Sequence, residues 1–238
     1  MVDEATRRTC WAAAIVGAIA SACGGSASHE KTLGTPDAAT VDGAQDTAAA
    51  PTACGLFAHV EAPEDFAAVC NPDDIDLVAL EAQAVALVNA DRAAHPDESN
   101  GAEPVAISCA VADVARLHSY TMCKRQQLAH TFDGEDLGGR LARWLGWQAG
   151  ADYFMWGENI AQSWSIEAAE HDFVDNEPPC DPVAGGHRLN ILNRDFDHVG
   201  IGICLCALQS SAANLWLTQD FVTLDRDHVT GTNPYCKL

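Results

Sequence analysis

An α/β layered domain with an antiparallel sheet is the fold class this sequence predicts, and two observations predict it. Apolar residues recur at helical spacing through the first half of the folded region, whereas strand-type alternation is confined to its end. That order is not the one a βαβ repeat would leave. From Asp73 the pattern is helical, with Leu77, Leu80, Ala84, Leu87 and Val88 forming one apolar stripe that Pro96 and Gly101 end. Ser108 is a fitting N-cap for a second helix that carries Val111, Val114, Ala115, His118 and Met122 on one face. After a glycine-rich stretch at 134–139, residues 140–147 predict a short helix. Residues 166–176 predict another, stopped by Pro178 and Pro179. Residues 198–208 and 214–222 alternate and carry Ile, Val, Trp, Thr and Phe, as two strands of a hairpin do.

Length and charge bound what such a domain can do. The 238 residues suit one globular domain with extra segments. A net charge of −21 excludes nucleic acid as a partner and disfavours anionic lipid head groups, because like charge repels over most of the surface. It suits a secreted or surface-exposed protein.

The N-terminus reads as a leader. Arg7 and Arg8 precede an apolar run, residues 11–22, that has the length of a signal-peptide core and is too short to span a bilayer. The run ends Ala20-Ser21-Ala22-Cys23, which resembles a bacterial lipobox and makes Cys23 the candidate for acylation. An ordinary cleavable leader with an incidental cysteine is the alternative. Residues 24–53 hold almost no large apolar side chain and predict a flexible tether. Residues 54–72 form a cysteine-bearing extension, 73–223 the domain and 224–238 a tail.

Of ten cysteines, Cys10 falls in the leader and Cys23 at its end. The even remainder, Cys54, Cys70, Cys109, Cys123, Cys180, Cys204, Cys206 and Cys236, is what a disulfide framework in an oxidising compartment leaves. Connectivity is not legible from the spacings, although Cys54 with Cys70 is an attractive local closure worth about 3 kcal/mol. No CxxC pair is present, which argues against a zinc ribbon.

Six motifs then follow one another. They are Leu87-Val88-Asn89-Ala90-Asp91-Arg92; Val114-Ala115-Arg116-Leu117-His118-Ser119; His130 in Leu-Ala-His; Gly157-Glu158-Asn159-Ile160-Ala161; Gly186-His187-Arg188-Leu189-Asn190; and Trp216-Leu217-Thr218-Gln219-Asp220-Phe221. In this order they resemble the bacterial branch of the CAP superfamily, the cysteine-rich secretory, antigen 5 and pathogenesis-related proteins. The resemblance leaves out residues 1–72 and the tail after Val222. It implies a three-layer α-β-α sandwich with a mainly antiparallel central sheet. It also implies a cleft in which two histidines and two acidic residues can hold a divalent cation. Carried over residue by residue, these are His130, His187 and Glu158. The second acid belongs to the helix before the last histidine, where Glu170, Asp175 and Glu177 stand; Glu177 is preferred. This segment departs from the family at Phe173 and in an insertion around Cys180.

Two neutral imidazoles with one or two carboxylates suit Zn²⁺ with an open coordination position. The same groups can serve as general base and electrophile in hydrolysis. They can equally form a hydrogen-bonded network that fixes the loops over the sheet. His118, on an apolar helix face, reads as a satisfied core histidine. Asn159, Arg188 and Asn190 read as loop-fixing residues, and Asp133-Gly134-Glu135-Asp136 as a solvated turn rather than a calcium loop. Trp144, Trp147, Trp156, Trp164 and Trp216 either line an apolar groove or pack. No HExxH, GxSxG or P-loop sequence is present.

The expected function is therefore an exported, non-enzymatic binding module. The resemblance implies an apolar, lipid or sterol ligand, with a divalent cation such as zinc shaping the cleft. A monomer is expected, attached to the membrane only through a lipid anchor at Cys23. The alternatives are a metal-assisted hydrolase of peptides or cell-wall material using His130, His187 and Glu158, and a passive disulfide-stapled surface protein.

Overall fold

The computed structural model describes residues 53–179, 181, 186–208 and 214–229. The leader, all but the last residue of the tether, Cys180 and Cys236 lie outside the described residues, as does the end of the tail. Six helices and four strands follow in the order α1 (Phe66–Cys70), α2 (Leu77–Ala94), β1 (Ala106–Ile107), α3 (Cys109–Arg125), α4 (Leu137–Leu145), β2 (Met155–Ser163), α5 (Ile166–Val174), α6 (Gly186–Ile191), β3 (His198–Leu205) and β4 (Leu215–Thr223).

Short polar side chains start the longer helices. Asp76, Ser108, Asp136 and Ser165 each accept a hydrogen bond from the backbone N–H three residues on, so they satisfy a donor the helix itself cannot. Asp76 therefore starts α2 four residues later than Asp73, and Asp136 starts α4 at Leu137, taking Gly138 and Gly139 into the helix. Gly146, at φ 71°, closes α4 in the left-handed region that glycine enters without strain.

The sheet order is β1-β3-β4-β2. The predicted hairpin forms, with β3 antiparallel to β4 in the register His198↔Val222 to Leu205↔Leu215. β2 pairs antiparallel with β4 over its whole length, and the two-residue β1 adds one parallel edge. β2 is not legible as a strand in sequence, because Gly157, Glu158, Asn159 and Gln162 break the apolar alternation.

Helices cover both faces. α2, α5 and α6 pack together on one side, and α1, α3 and α4 on the other, which makes three layers. Gly200 and Gly202 let β3 approach α3. A Cβ at Gly202 would collide with the backbone of Ala115 and Arg116, and one at Gly200 with Ala112. The core between the layers includes Val88, Met122, Ile191, Val199, Ile203, Trp216, Leu217 and Phe221, each at most 1 % exposed.

Among the described residues three disulfides staple this core: Cys54–Cys109, Cys70–Cys204 and Cys123–Cys206. The expected local closure of Cys54 with Cys70 is not formed. α1 packs against α3 and β3, which brings Cys70 to the end of β3, while Cys54 reaches the start of α3. Both bridges thus tie the N-terminal extension to the domain rather than to itself. Asp113 adds to the tie by accepting the backbone N–H groups of Phe57 (3.0 Å) and His59 (2.7 Å). No helix of the described residues is long and apolar enough to cross a membrane.

Candidate functional site

β2 carries the centre of the site, because successive residues of a strand point to opposite faces. Glu158 faces α3 and α4, and Asn159 faces α5 and α6. Each begins a separate polar network.

On the first face Glu158 is 3 % exposed and both its oxygens are engaged. His130 Nδ1 lies 2.8 Å from Oε1, and the Arg140 guanidinium of α4 donates to Oε2. Arg140 also donates to the backbone carbonyl of His130 at 2.9 Å, so one side chain holds both the acid and the histidine loop. His118, from α3, places Nε2 3.0 Å from the carbonyl of Ala129 and 3.6 Å from Glu158 Oε2. It is the satisfied core histidine its apolar helix face suggested. Asp220 is the register partner of Glu158 on β4 and is fully buried. Neither of its oxygens has a partner of good hydrogen-bond geometry.

One guanidinium thus faces two buried carboxyls. Burial pushes Glu158 up to about 7 against the opposing pull of Arg140. Burial and then the Glu158 charge raise Asp220 well above the ordinary carboxylate range. Burial, reinforced by Arg140, takes His130 down to about 4 and holds His118 well below 6.5. Both imidazoles are therefore neutral at neutral pH, and His130 Nδ1 shares a single proton with Glu158 across their contact.

On the second face His187 Nδ1 meets Glu177 Oε1, and the other Glu177 oxygen accepts the backbone N–H of Arg188 at 2.9 Å. Phe173 packs its ring 4.6 Å from the His187 ring. Asn159 donates to the His187 carbonyl (3.2 Å) and to Gln219 Oε1 (3.0 Å). Gln219 in turn donates to Glu170 at 2.7 Å. Burial pushes Glu170 up to about 8, with Asp91 adding to the rise. Asn190 donates to Asn159 Oδ1 (2.8 Å) and to the Glu158 carbonyl (3.2 Å), and so links the two networks through the strand backbone. Arg188 pairs with Glu98 and donates to the Val174 carbonyl.

The four residues expected to hold a cation therefore stand as two histidine–carboxylate pairs, one from each helical layer. Among the described residues no group of three or more His, Cys, Asp or Glu is placed to hold a metal ion. Glu158 has given its oxygens to a histidine and to a cation that would repel a second one. The set of His130, Glu158, His187 and Glu177 does not fit a shared zinc centre in this arrangement.

Arg140 and Asp220 belong to the site and escaped the sequence reading. Asp220 left a signal: with Thr218 and Gln219 it puts three polar residues into a strand in which every residue is buried. Other motif residues are framework. Asn89 exchanges two hydrogen bonds with the Val105 backbone, and Arg92 donates to the carbonyls of Glu103, Ile191, Asn193 and Phe196. Ser119 donates to the Gly202 carbonyl at 2.9 Å and sits 2.8 Å from Thr218. Asp133 and Gly134 do form a left-handed turn, and Asp133 pairs with Arg125. The tryptophans form no common groove: Trp216 is core, Trp147 and Trp156 support the α3–α4 contact, and Trp164 is 71 % exposed.

Residues 85–221, more than half of the chain, match the profile of the CAP group, described as the cysteine-rich secretory protein family. Among solved structures, an extracellular protein containing an SCP domain from Bacillus anthracis is 26 % identical, with a TM-score of 0.47 over 64 % of this chain. The match spans only 43 % of the Bacillus protein's length. An outer surface protein from Borrelia burgdorferi is 14 % identical with a TM-score of 0.50, over 63 % of this chain and 97 % of its own. The venom allergen-like protein 4 of Schistosoma mansoni is 12 % identical with a TM-score of 0.38, over 62 % of this chain and 90 % of its own. No curated protein matches the chain.

Proposed function

The chain belongs to the CAP, or cysteine-rich secretory protein, family, and on that footing we propose that it is an exported module that binds a ligand without transforming it. Three bridges joining distant segments support export, since disulfides form and persist in oxidising compartments and are rare in reducing ones. The leader and a lipid-bearing Cys23 would then hold the domain at the cell surface on its tether.

The observation that carries binding over hydrolysis is the bracket around Glu158. A general base must be free to take a proton from a bound water. Here one oxygen of the acid faces His130 and the other is held by Arg140. The acid thus braces α4 and the His130 loop against the sheet. His187 is braced to Glu177 in the same way. Such brackets give a cleft rigid walls, and rigid walls reduce the ordering entropy that binding must overcome.

The test is to incubate the disulfide-intact domain at high concentration with casein, peptidoglycan and simple esters, with and without Zn²⁺. No turnover above an E158Q control is expected. Turnover that E158Q or H130A abolishes overturns the reading. Calorimetric titration with ZnCl₂ adds a second check. A one-to-one complex lost in both H130A and H187A would show that the two pairs converge on a metal after all.

A further inference from the structure

A cleft of about 400 Å³ opens on the α3–α4 side of the molecule, and none of His130, Glu158, His187 and Glu177 lines it. Its lining includes the buried His118 and Arg140, the latter one arm of the Glu158 bracket. Its walls include Tyr120, Arg125, Phe132, Glu135, Arg143 and Trp144. We propose that this cleft binds a neutral oligosaccharide of two or three sugar units, which gives the binding-module reading, on which it rests, a ligand class.

Three features of the walls select that class. The first is charge. The cations are matched by acids: Arg125 with Asp133, Arg143 with Glu135 and Arg140 with Glu158. An anion finds no uncompensated cation here, and the chain's net charge of −21 would repel it before it arrived.

The second is hydrogen bonding. A guanidinium carries five N–H donors in a fixed fork, and a carboxylate offers about four lone-pair sites. The exposed pairs leave part of both inventories unused. Arg125 and Asp133 keep 45 % and 77 % of their side chains exposed, and Arg143 and Glu135 keep 61 % and 30 %. Neighbouring donors and acceptors on planar groups match a sugar's adjacent hydroxyls, each of which both donates and accepts. An acyl chain or a sterol would desolvate these same groups and return nothing, which costs about 1–3 kcal/mol for each one left unpaired.

The third is the aromatic lining. The Arg143 guanidinium lies 4.7 Å over the Trp144 ring, and Arg125 lies 4.8 Å over Phe132. Each guanidinium covers one face of its ring and holds it in place; Phe132 also packs 5.6 Å from the His118 ring, so Trp144, 38 % exposed, is the ring left to a ligand. A fixed, half-exposed ring is a platform for the apolar C–H face of a pyranose. The volume lies at the small end of the range usual for ligand pockets, about 300–1,000 Å³, which suits a short oligomer.

The experiment titrates the disulfide-intact protein with maltotriose, cellotriose and tri-N-acetylchitotriose, read by tryptophan fluorescence and by saturation-transfer NMR. At least one is expected to bind saturably with Kd of about 1 mM or tighter. W144A, at an exposed position that leaves the core intact, should weaken it by about tenfold or more, as loss of an aromatic anchor does. R143A, which frees the ring and removes donors, should weaken it as well. Absence of saturation for all three sugars up to about 10 mM, a concentration at which even weak sugar binding is visible, overturns the proposal. So does binding that W144A and R143A leave unchanged. Palmitate or inorganic phosphate saturating the same cleft, with loss in W144A, would also overturn the sugar class, while the binding-module reading survives. A sugar that binds and is then cleaved supports the site and overturns the non-catalytic reading instead.

Discussion

Replacing Arg140 with methionine tests the charge balance at the heart of the site. Arg140 and Glu158 are 4 % and 3 % exposed, so their pairing is a buried one. Removing one member of a buried pair leaves an uncompensated charge, at a cost of about 3–5 kcal/mol. Glu158 can reduce that cost by holding a proton, which makes the loss depend on pH. Burial already takes its pKa from 4.5 up to about 7, and Arg140 pulls against that rise. Without the guanidinium the value climbs further.

A carboxyl with a raised folded-state pKa contributes stability that is intact below its unfolded value and lost as pH rises through its folded value. In the natural protein the loss from Glu158 is complete near pH 7. In Arg140→Met it continues to pH 8, at about 1.4 kcal/mol for each further pH unit. Urea denaturation of the natural protein, R140M, E158Q and the double variant, at pH 5 and pH 8, reads both effects. The R140M loss should be larger at pH 8 by at least about 1.4 kcal/mol. It should also shrink in the E158Q background by more than about 0.5 kcal/mol, the limit of simple additivity. Equal losses at the two pH values, together with additivity, would refute the charge argument.

Two further outcomes follow from the packing. Gly202→Ala should lower stability by about 1–3 kcal/mol or more, because the new methyl meets the α3 backbone and no flexible side chain can give way; a thermal midpoint unchanged from the natural protein would contradict this. Removing Cys70–Cys204 as a pair of alanines should cost about 4 kcal/mol rather than the about 5 its separation suggests, because Cys54–Cys109 and Cys123–Cys206 together already shorten the effective loop to about 30 residues. Denaturant titration of that variant with the other two bridges intact measures it, and a loss below about 1 kcal/mol would count against the loop-entropy account.

Much of the fold was legible because it rests on local chemistry. The apolar stripe of α2, the Ser108 cap and the alternation of β3 and β4 each follow from residues near one another in the chain, and each is found. The motif order pointed to the family, and the profile match over residues 85–221 agrees. β2 was not legible. Its polar residues serve two networks on opposite faces and so erase the period by which a strand is recognised.

What the sequence by itself determined was which residues are special: Glu158, Asn159, His130 and His187 stand in recognisable motifs. The tertiary structure alone decided what they do together. Strand alternation sends Glu158 and Asn159 to opposite faces, so the two histidines are braced from different layers and form two pairs rather than one ligand set. It also decided that Arg140 and Asp220 complete the first network, that Cys54 and Cys70 pair with distant partners, and that a cleft opens behind the Glu158 bracket. Each of these joins residues far apart in the chain, and such long-range pairing leaves no periodic mark on the sequence.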